Sequence, residues 1–187
     1  MALTDELSAE QVIAHTRRWV RDVVIDLNLC PFARREYDSS RLRFVVSSAE
    51  TDEALLADLG RELEYLESDR NTETTLLIHP RVLGDFFAYN QFLDRCDQLL
   101  ERHGYAGGFQ VASFHPEYRF GGTEAEAAEN YTNRSPYPML HLLREDSISR
   151  AVAEHPDIDG IPARNIDLLQ RLGEDKLRKL RRACFDG

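Results

Sequence analysis

The chain has 187 residues, enough for one domain with a substantial core. Its 33 acidic against 23 basic residues leave a net charge of -10, which excludes the basic field that a nucleic-acid surface needs. No apolar run approaches the roughly 20 residues of a membrane span, so neither nucleic acid nor membrane is an expected partner.

The first residues, MALTDELSAEQ, are acidic and polar and do not read as a signal peptide. Ser8 and Gln11 form a capping-box pattern, and Val12, Trp19, Val20, Val23, Val24 and Leu27 then recur at helical spacing until Pro31. "RLRFVVSS" (41–48) reads as a strand. Thr51 caps a helix with Leu55, Leu56, Leu59, Leu63 and Leu66 on one face. "NTETTLLIHP" (71–80) is the second strand, a helix runs from about 82 to 102, and "GGFQVASFHP" (107–116) is the third strand. Residues 116–136 lack periodicity, and loops of that length tend to be functional or disordered. Helices over roughly 138–154 and from 161 to the end complete the chain. The last carries Lys176, Arg178, Lys179, Arg181 and Arg182, read as a solvated end that complements the helix dipole; contact with an acidic partner is the weaker reading.

The order α-β-α-β-α-β-α-α predicts an α/β fold. It is a single domain over 1–187, a layered sandwich whose short, mostly parallel sheet of about three strands is covered by helices, with a charged helix or tail from about 174 to 187. Parallel strands place their carboxyl ends on one edge, where open α/β sheets bind ligands. Ser47, Ser48, His79, Ser113 and His115 fall there.

His79-Pro80 and His115-Pro116 directly follow strands, and proline keeps each histidine extended. Imidazole suits proton transfer near neutral pH, so both are candidate catalytic residues; the plainer alternative is a hydrogen bond to a loop carbonyl. Cys30, in "NLCPFARR", is a candidate nucleophile if Arg34 or Arg35 lowers its pKa, and otherwise a small packed residue. Cys96 lies in an apolar stripe and reads as core. The absence of CxxC pairs fits a reducing, cytoplasmic setting.

"ENYTNRSPYPMLHLLRE" (129–145) concentrates polar groups at an expected helix start, with Ser135 as cap and Pro136 in the first turn. Free amides beside Arg134 make an anion site, and His141 and Arg144, three apart, share a helical face there. Asn130, Asn133 and Arg119 join the candidate substrate-binding set; the alternative is a loop that caps itself. The expected partner is an anionic small molecule.

Together "NLCPFA", "TLLIHP", "ASFHPEYRF" and "NYTNRSPYPMLHLLRE", in this order and spacing, resemble the DUF1415 family of uncharacterised bacterial proteins. The resemblance runs from the first helix to "RNIDLLQRLG" and departs mainly in the charged tail beyond Leu172. It implies a cytoplasmic bacterial protein of this length and transfers no activity.

The leading expectation is a small-molecule hydrolase or group transferase acting on an anionic substrate in a His/Arg/Cys pocket. The alternatives are a non-catalytic ligand-binding or regulatory module using the same pocket, and a metal-binding protein with Cys30 and histidine ligands. A redox cofactor is not indicated, since neither GxGxxG after a strand nor a P-loop lysine motif occurs, and the cofactor, if any, is left open.

Overall fold

A computed structural model describes residues 7–186. The reading of the extreme N-terminus therefore falls largely outside the described residues.

Helix α1 (Ala9–Trp19) starts at the expected capping box: the Gln11 amide donates to Ser8 Oγ (3.2 Å), and the Ser8 amide donates to Gln11 Oε1 (2.9 Å). The chain continues through a wider turn, Val20–Ile25. There amides reach five residues back, as from Asp26 to the Arg21 carbonyl (3.0 Å). A short helix, α2 (Ala33–Asp38), leads to strand β1 (Leu42–Val46). Helix α3 (Asp52–Ser68) is capped by Thr51, strand β2 spans Thr74–Ile78, and helix α4 (Phe86–Arg102) is capped by Asp85. Strand β3 (Phe109–Phe114) precedes the long loop, which holds one 3₁₀ turn, Ala128–Thr132.

The expected helix over 138–154 is corrected. Met139–Arg144 forms a fourth strand, β4, and only Glu145–Glu154 is helical, as α5. "MLHLLR" is an apolar run without a decisive period, and such runs are ambiguous between buried strand and helix. Pairing on both sides decides it: β4 lies antiparallel between β2 and β3 in the order β1-β2-β4-β3. The ladders override the helix propensity of Met and Leu. The expected final helix is also divided. Gly173, at φ 75°, separates α6 (Gly160–Leu172) from α7 (Glu174–Ala183).

Strands β1 and β2 pair in parallel, and β3 shares their direction because β4 opposes both β2 and β3. The carboxyl ends of β1, β2 and β3 thus fall on one edge, as the α/β reading requires. Apolar cores lie on both faces of the sheet. On one, Leu77, Leu140 and Leu142 pack against Leu55, Leu59 and Leu63 of α3 and Tyr89, Phe92 and Cys96 of α4. On the other, Leu76, Ile78 and Met139 pack against Val12 and Trp19 of α1, Leu169 of α6 and Leu177 of α7. Burying each leucine contributes about 2 kcal/mol. Among the described residues no helix is long and apolar enough to cross a membrane.

Candidate functional site

At the carboxyl edge the strands deliver His79 and His115 to the same face. Each follows a residue of the α1 core (Ile78, Phe114), so the strand alternation turns both imidazoles toward α4. Tyr89, one turn into α4, stands between them: its ring lies 5.8 Å from that of His79 and 5.0 Å from that of His115. Its hydroxyl donates to the Met139 carbonyl (2.8 Å) and accepts from the Phe114 amide (3.1 Å), bridging the ends of β4 and β3. Burial pushes the phenol far above its ordinary range, so it stays a neutral donor.

Both histidines are fully buried. His79 Nδ1 donates to the Val82 carbonyl (3.0 Å) and His115 Nε2 donates to the next carbonyl, Leu83 (3.1 Å). A carbonyl only accepts, which sets both tautomers. His115 Nδ1 accepts from the Glu117 amide (3.0 Å), so that ring is satisfied. His79 Nε2 is left with a buried lone pair and no partner. Burial, above all, lowers the His79 pKa to about 4, and it lowers that of His115 as well. Both rings are neutral at pH 7. The segment that holds them, residues 81–85, contains Leu83 at φ 58°, an unfavourable conformation for leucine.

The stretch 129–138 is bound to the same edge through its backbone. The His79 amide donates to the Pro138 carbonyl (3.0 Å) and the His115 amide to the Asn133 carbonyl (3.1 Å). Its side chains turn inward. Asn130 is fully buried; its Oδ1 accepts from the Phe120 amide (3.0 Å) and the Thr123 hydroxyl (2.8 Å), and its Nδ2 donates to the Glu124 carbonyl (2.8 Å). Asn133 Nδ2 donates to the Ser113 carbonyl (3.0 Å), and Ser135 Oγ to the Tyr137 carbonyl (2.6 Å). Arg134 donates to the carbonyls of Tyr118 (3.1 Å) and Ala125, and Arg119 Nε to that of Thr123 (2.6 Å). The loop caps itself, and no helix begins at Ser135.

Three expected members do not join the histidine pair. Arg144, at the end of antiparallel β4, lies at the opposite sheet edge, where it donates to the carbonyls of Leu66, Asp69 (2.9 Å) and Thr72 (3.0 Å). His141 is on β4 and faces the other core, beside Phe114 (5.8 Å) and bonded to Thr74 Oγ1 (2.7 Å). Burial lowers its pKa to about 4. The shared helical face expected for His141 and Arg144 does not exist, because residues three apart on a strand point opposite ways. Cys30 is exposed, next to Leu29, whose carbonyl accepts from Asn165 Nδ2 of α6 (2.8 Å). Its pKa is raised by desolvation despite that exposure, and the amides of Phe32 and Ala33 pull it back only partly. The cations expected to activate it are committed elsewhere: Arg34 faces Asp26 (3.6 Å) and Arg35 faces Glu36 (3.6 Å).

Among the described residues no three His, Cys, Asp or Glu side chains gather as metal ligands would, so the Cys30–histidine metal set has no geometry behind it. Two open surface depressions lie beside β1 and α3, sharing Ser48, Asp58 and Arg61; neither is lined by His79 or His115. Tyr89 was legible only as part of an apolar helical stripe; its position one turn after the Asp85 cap, facing the strand ends, is the signal that marks it.

These features define an α/β protein with a closed histidine–tyrosine cluster at the carboxyl edge of its sheet. The chain belongs to the DUF1415 family, described as "Protein of unknown function", whose model matches residues 11–179. Searches of curated proteins and of solved structures return no match.

Proposed function

We propose that this protein binds a small molecule at the carboxyl edge of its sheet without turning it over, as a ligand-binding or regulatory module. The observation that carries the reading is the buried, unpartnered lone pair of His79 Nε2. An unmet acceptor in a protein interior costs about 1–3 kcal/mol, and a guest carrying an N–H or O–H group would relieve it. The surroundings favour a flat, largely apolar guest. Phe86 stands 5.3 Å from His115, Tyr118 5.2 Å from Phe86, and Phe120 5.0 Å from Tyr118, a file of rings running from the cluster toward part-exposed positions. Admission requires residues 81–85 to move, and the conformation of Leu83 already costs about 1 kcal/mol.

The magnitudes weigh against hydrolysis or group transfer. A general base works best with a pKa near the operating pH, whereas that of His79 is about 4. Both nitrogens of His115 are occupied, and no cation lowers the thiol of Cys30. An anionic guest at this cluster also loses its main support, since Arg119 and Arg134 serve loop carbonyls and Arg144 lies at the other edge.

The test is a thermal-shift screen of small metabolites against the wild-type chain and His79→Phe. The proposal expects compounds that stabilise the wild type, lose at least tenfold in affinity with His79→Phe, and are recovered unchanged after incubation. Stabilisation that persists in the variant would overturn it, and conversion of a bound compound would reinstate the enzyme.

A further inference from the structure

Two arginines that the sequence keeps 47 positions apart, Arg134 and Arg181, are anchored on carbonyls two residues apart in the long loop, those of Tyr118 and Pro116. Arg181 Nη1 donates to the carbonyls of Pro116 (2.7 Å) and Ser135 (3.5 Å), which ties α7 to both strands of the loop. Its Nε–H is buried and has no partner. The Arg134 guanidinium lies 4.8 Å over the ring of Tyr131. Arg178 is neutralised by Glu174 and Asp175. Arg134 and Arg181 are not: their hydrogen bonds go to backbone carbonyls, and among the described residues no carboxylate lies within ion-pair distance of either.

Carbonyls orient a guanidinium without cancelling its charge. The two cations repel each other, while the Tyr131 phenol and, more weakly, the carboxylate of the exposed Glu117 favour the charge on Arg181. Burial and the neighbouring Arg134 and Arg182 both disfavour the charged form of Arg181. Holding two guanidiniums without carboxylate partners on carbonyls two residues apart, one of them partly desolvated, is costly unless a guest of opposite charge is present. Planar guanidinium forks match the paired oxygens of phosphate and carboxylate groups.

We infer that Arg134 and Arg181, seated around Tyr131 and the 115–118 turn, form a binding site for an oxyanion, a phosphate or carboxylate group, that α7 completes. Tyr131 supplies an aromatic floor under Arg134, and the unpaired Nε–H of Arg181 is the donor left for the anion. The site goes beyond the reading of His79 and does not depend on it, since Arg134 and Arg181 bond to the carbonyls of Tyr118, Ala125, Pro116 and Ser135 and not to His79 or Tyr89.

The test is a titration of the wild-type chain with inorganic phosphate, and in a second arm with acetate, against chloride at equal ionic strength. Melting temperature and the Nε–Hε NMR signals of arginine are both followed. The expected result is a saturable rise in melting temperature with phosphate or acetate, accompanied by shifts of the Arg134 and Arg181 signals; the more effective anion identifies the guest class. Arg134→Gln and Arg181→Gln should each weaken binding at least tenfold, Arg134→Lys less, and His79→Phe should leave it unchanged. Coincident curves for phosphate, acetate and chloride would overturn the site. So would an anion response that survives the Arg134→Gln, Arg181→Gln double variant. The wild-type signals decide the matter even where Arg181→Gln fails to fold.

Discussion

His79 and His115, 36 positions apart in sequence, donate their ring N–H groups to consecutive carbonyls, those of Val82 and Leu83. One short segment therefore reads the protonation of two strands' ends at once. On gaining a proton His79 would bring a charge into a buried site with no carboxylate favouring it, whereas Glu117 and Asp85 favour a charge on His115 without offsetting its burial.

This gives the first prediction. An unfolded histidine takes up a proton near pH 6.5, whereas His79 and His141 in the folded chain do so only near pH 4. Between those values the unfolded state binds more protons, so stability is full above pH 6.5 and falls as pH drops toward 4. The contribution is about 3 kcal/mol per imidazole. Urea unfolding followed at pH 7, 6, 5 and 4.5 should show a steep loss. The variant His141→Leu should flatten the curve between pH 6.5 and 5, where few carboxylates titrate. An unchanged slope would mean that His141 is solvated.

A second expectation concerns the long loop. Asn130 spends both ends of its amide on the loop, so Asn130→Ala leaves the Phe120 amide without a partner and takes one bond each from the Thr123 hydroxyl and the Glu124 and Ala125 carbonyls. The cost should be about 3 kcal/mol, read as a lower urea midpoint. Limited proteolysis should cut first within 116–136. Asn130→Asp should be as damaging, because a carboxylate would face the Glu124 carbonyl that now accepts a hydrogen bond.

Arg144 carries the third. Its guanidinium gathers the carbonyls of Leu66, Asp69 and Thr72, closing the end of α3 onto the start of β2. Arg144→Met should destabilise by about 3 kcal/mol, and Arg144→Lys by about half of that, since the bonds run from the single Nη2 and a lysine ammonium can meet part of the same carbonyls. Neither variant should alter ligand binding at the carboxyl edge, a prediction that equilibrium unfolding and the metabolite screen check together.

The cysteines supply the fourth. Cys30 is exposed, whereas Cys96 and Cys184 are buried, with pKa values pushed up to about 12 and about 11. A thiol-reactive chromophore should modify one cysteine in the native chain and three in urea. The native reaction should accelerate with pH through and above the ordinary thiol range, because the Cys30 pKa is raised. A fast reaction already complete at pH 6 would reveal an activated nucleophile and restore Cys30 to a catalytic role.

Much of this architecture was legible in the letters. The branched and apolar runs before Ser47, His79 and His115 marked three strands. Their alternation with helices implied a common direction, and that alone brings the two histidines to one edge. What escaped was β4. Met, Leu and Arg favour helices locally, and only the vacant ladder positions on β2 and β3, which no single segment encodes, turn "MLHLLR" into a strand. Misreading it carried Arg144 and His141 into the wrong neighbourhood. Arg181 escaped for a related reason: a basic terminal helix looks solvated until the docking of α7 on the Tyr131 turn is known.

The position of β4 also bears on how the chain assembles. The sheet's interior seam is supplied by its last strand to be synthesised, so β1–β2 and β3 emerge from the ribosome as separate pieces with open flanks. Closure awaits residues 139–144, well over a hundred residues after the first helix. Chains that stall before that point would carry sticky, unzipped margins, so their exposure to aggregation lasts until residues 139–144 leave the ribosome.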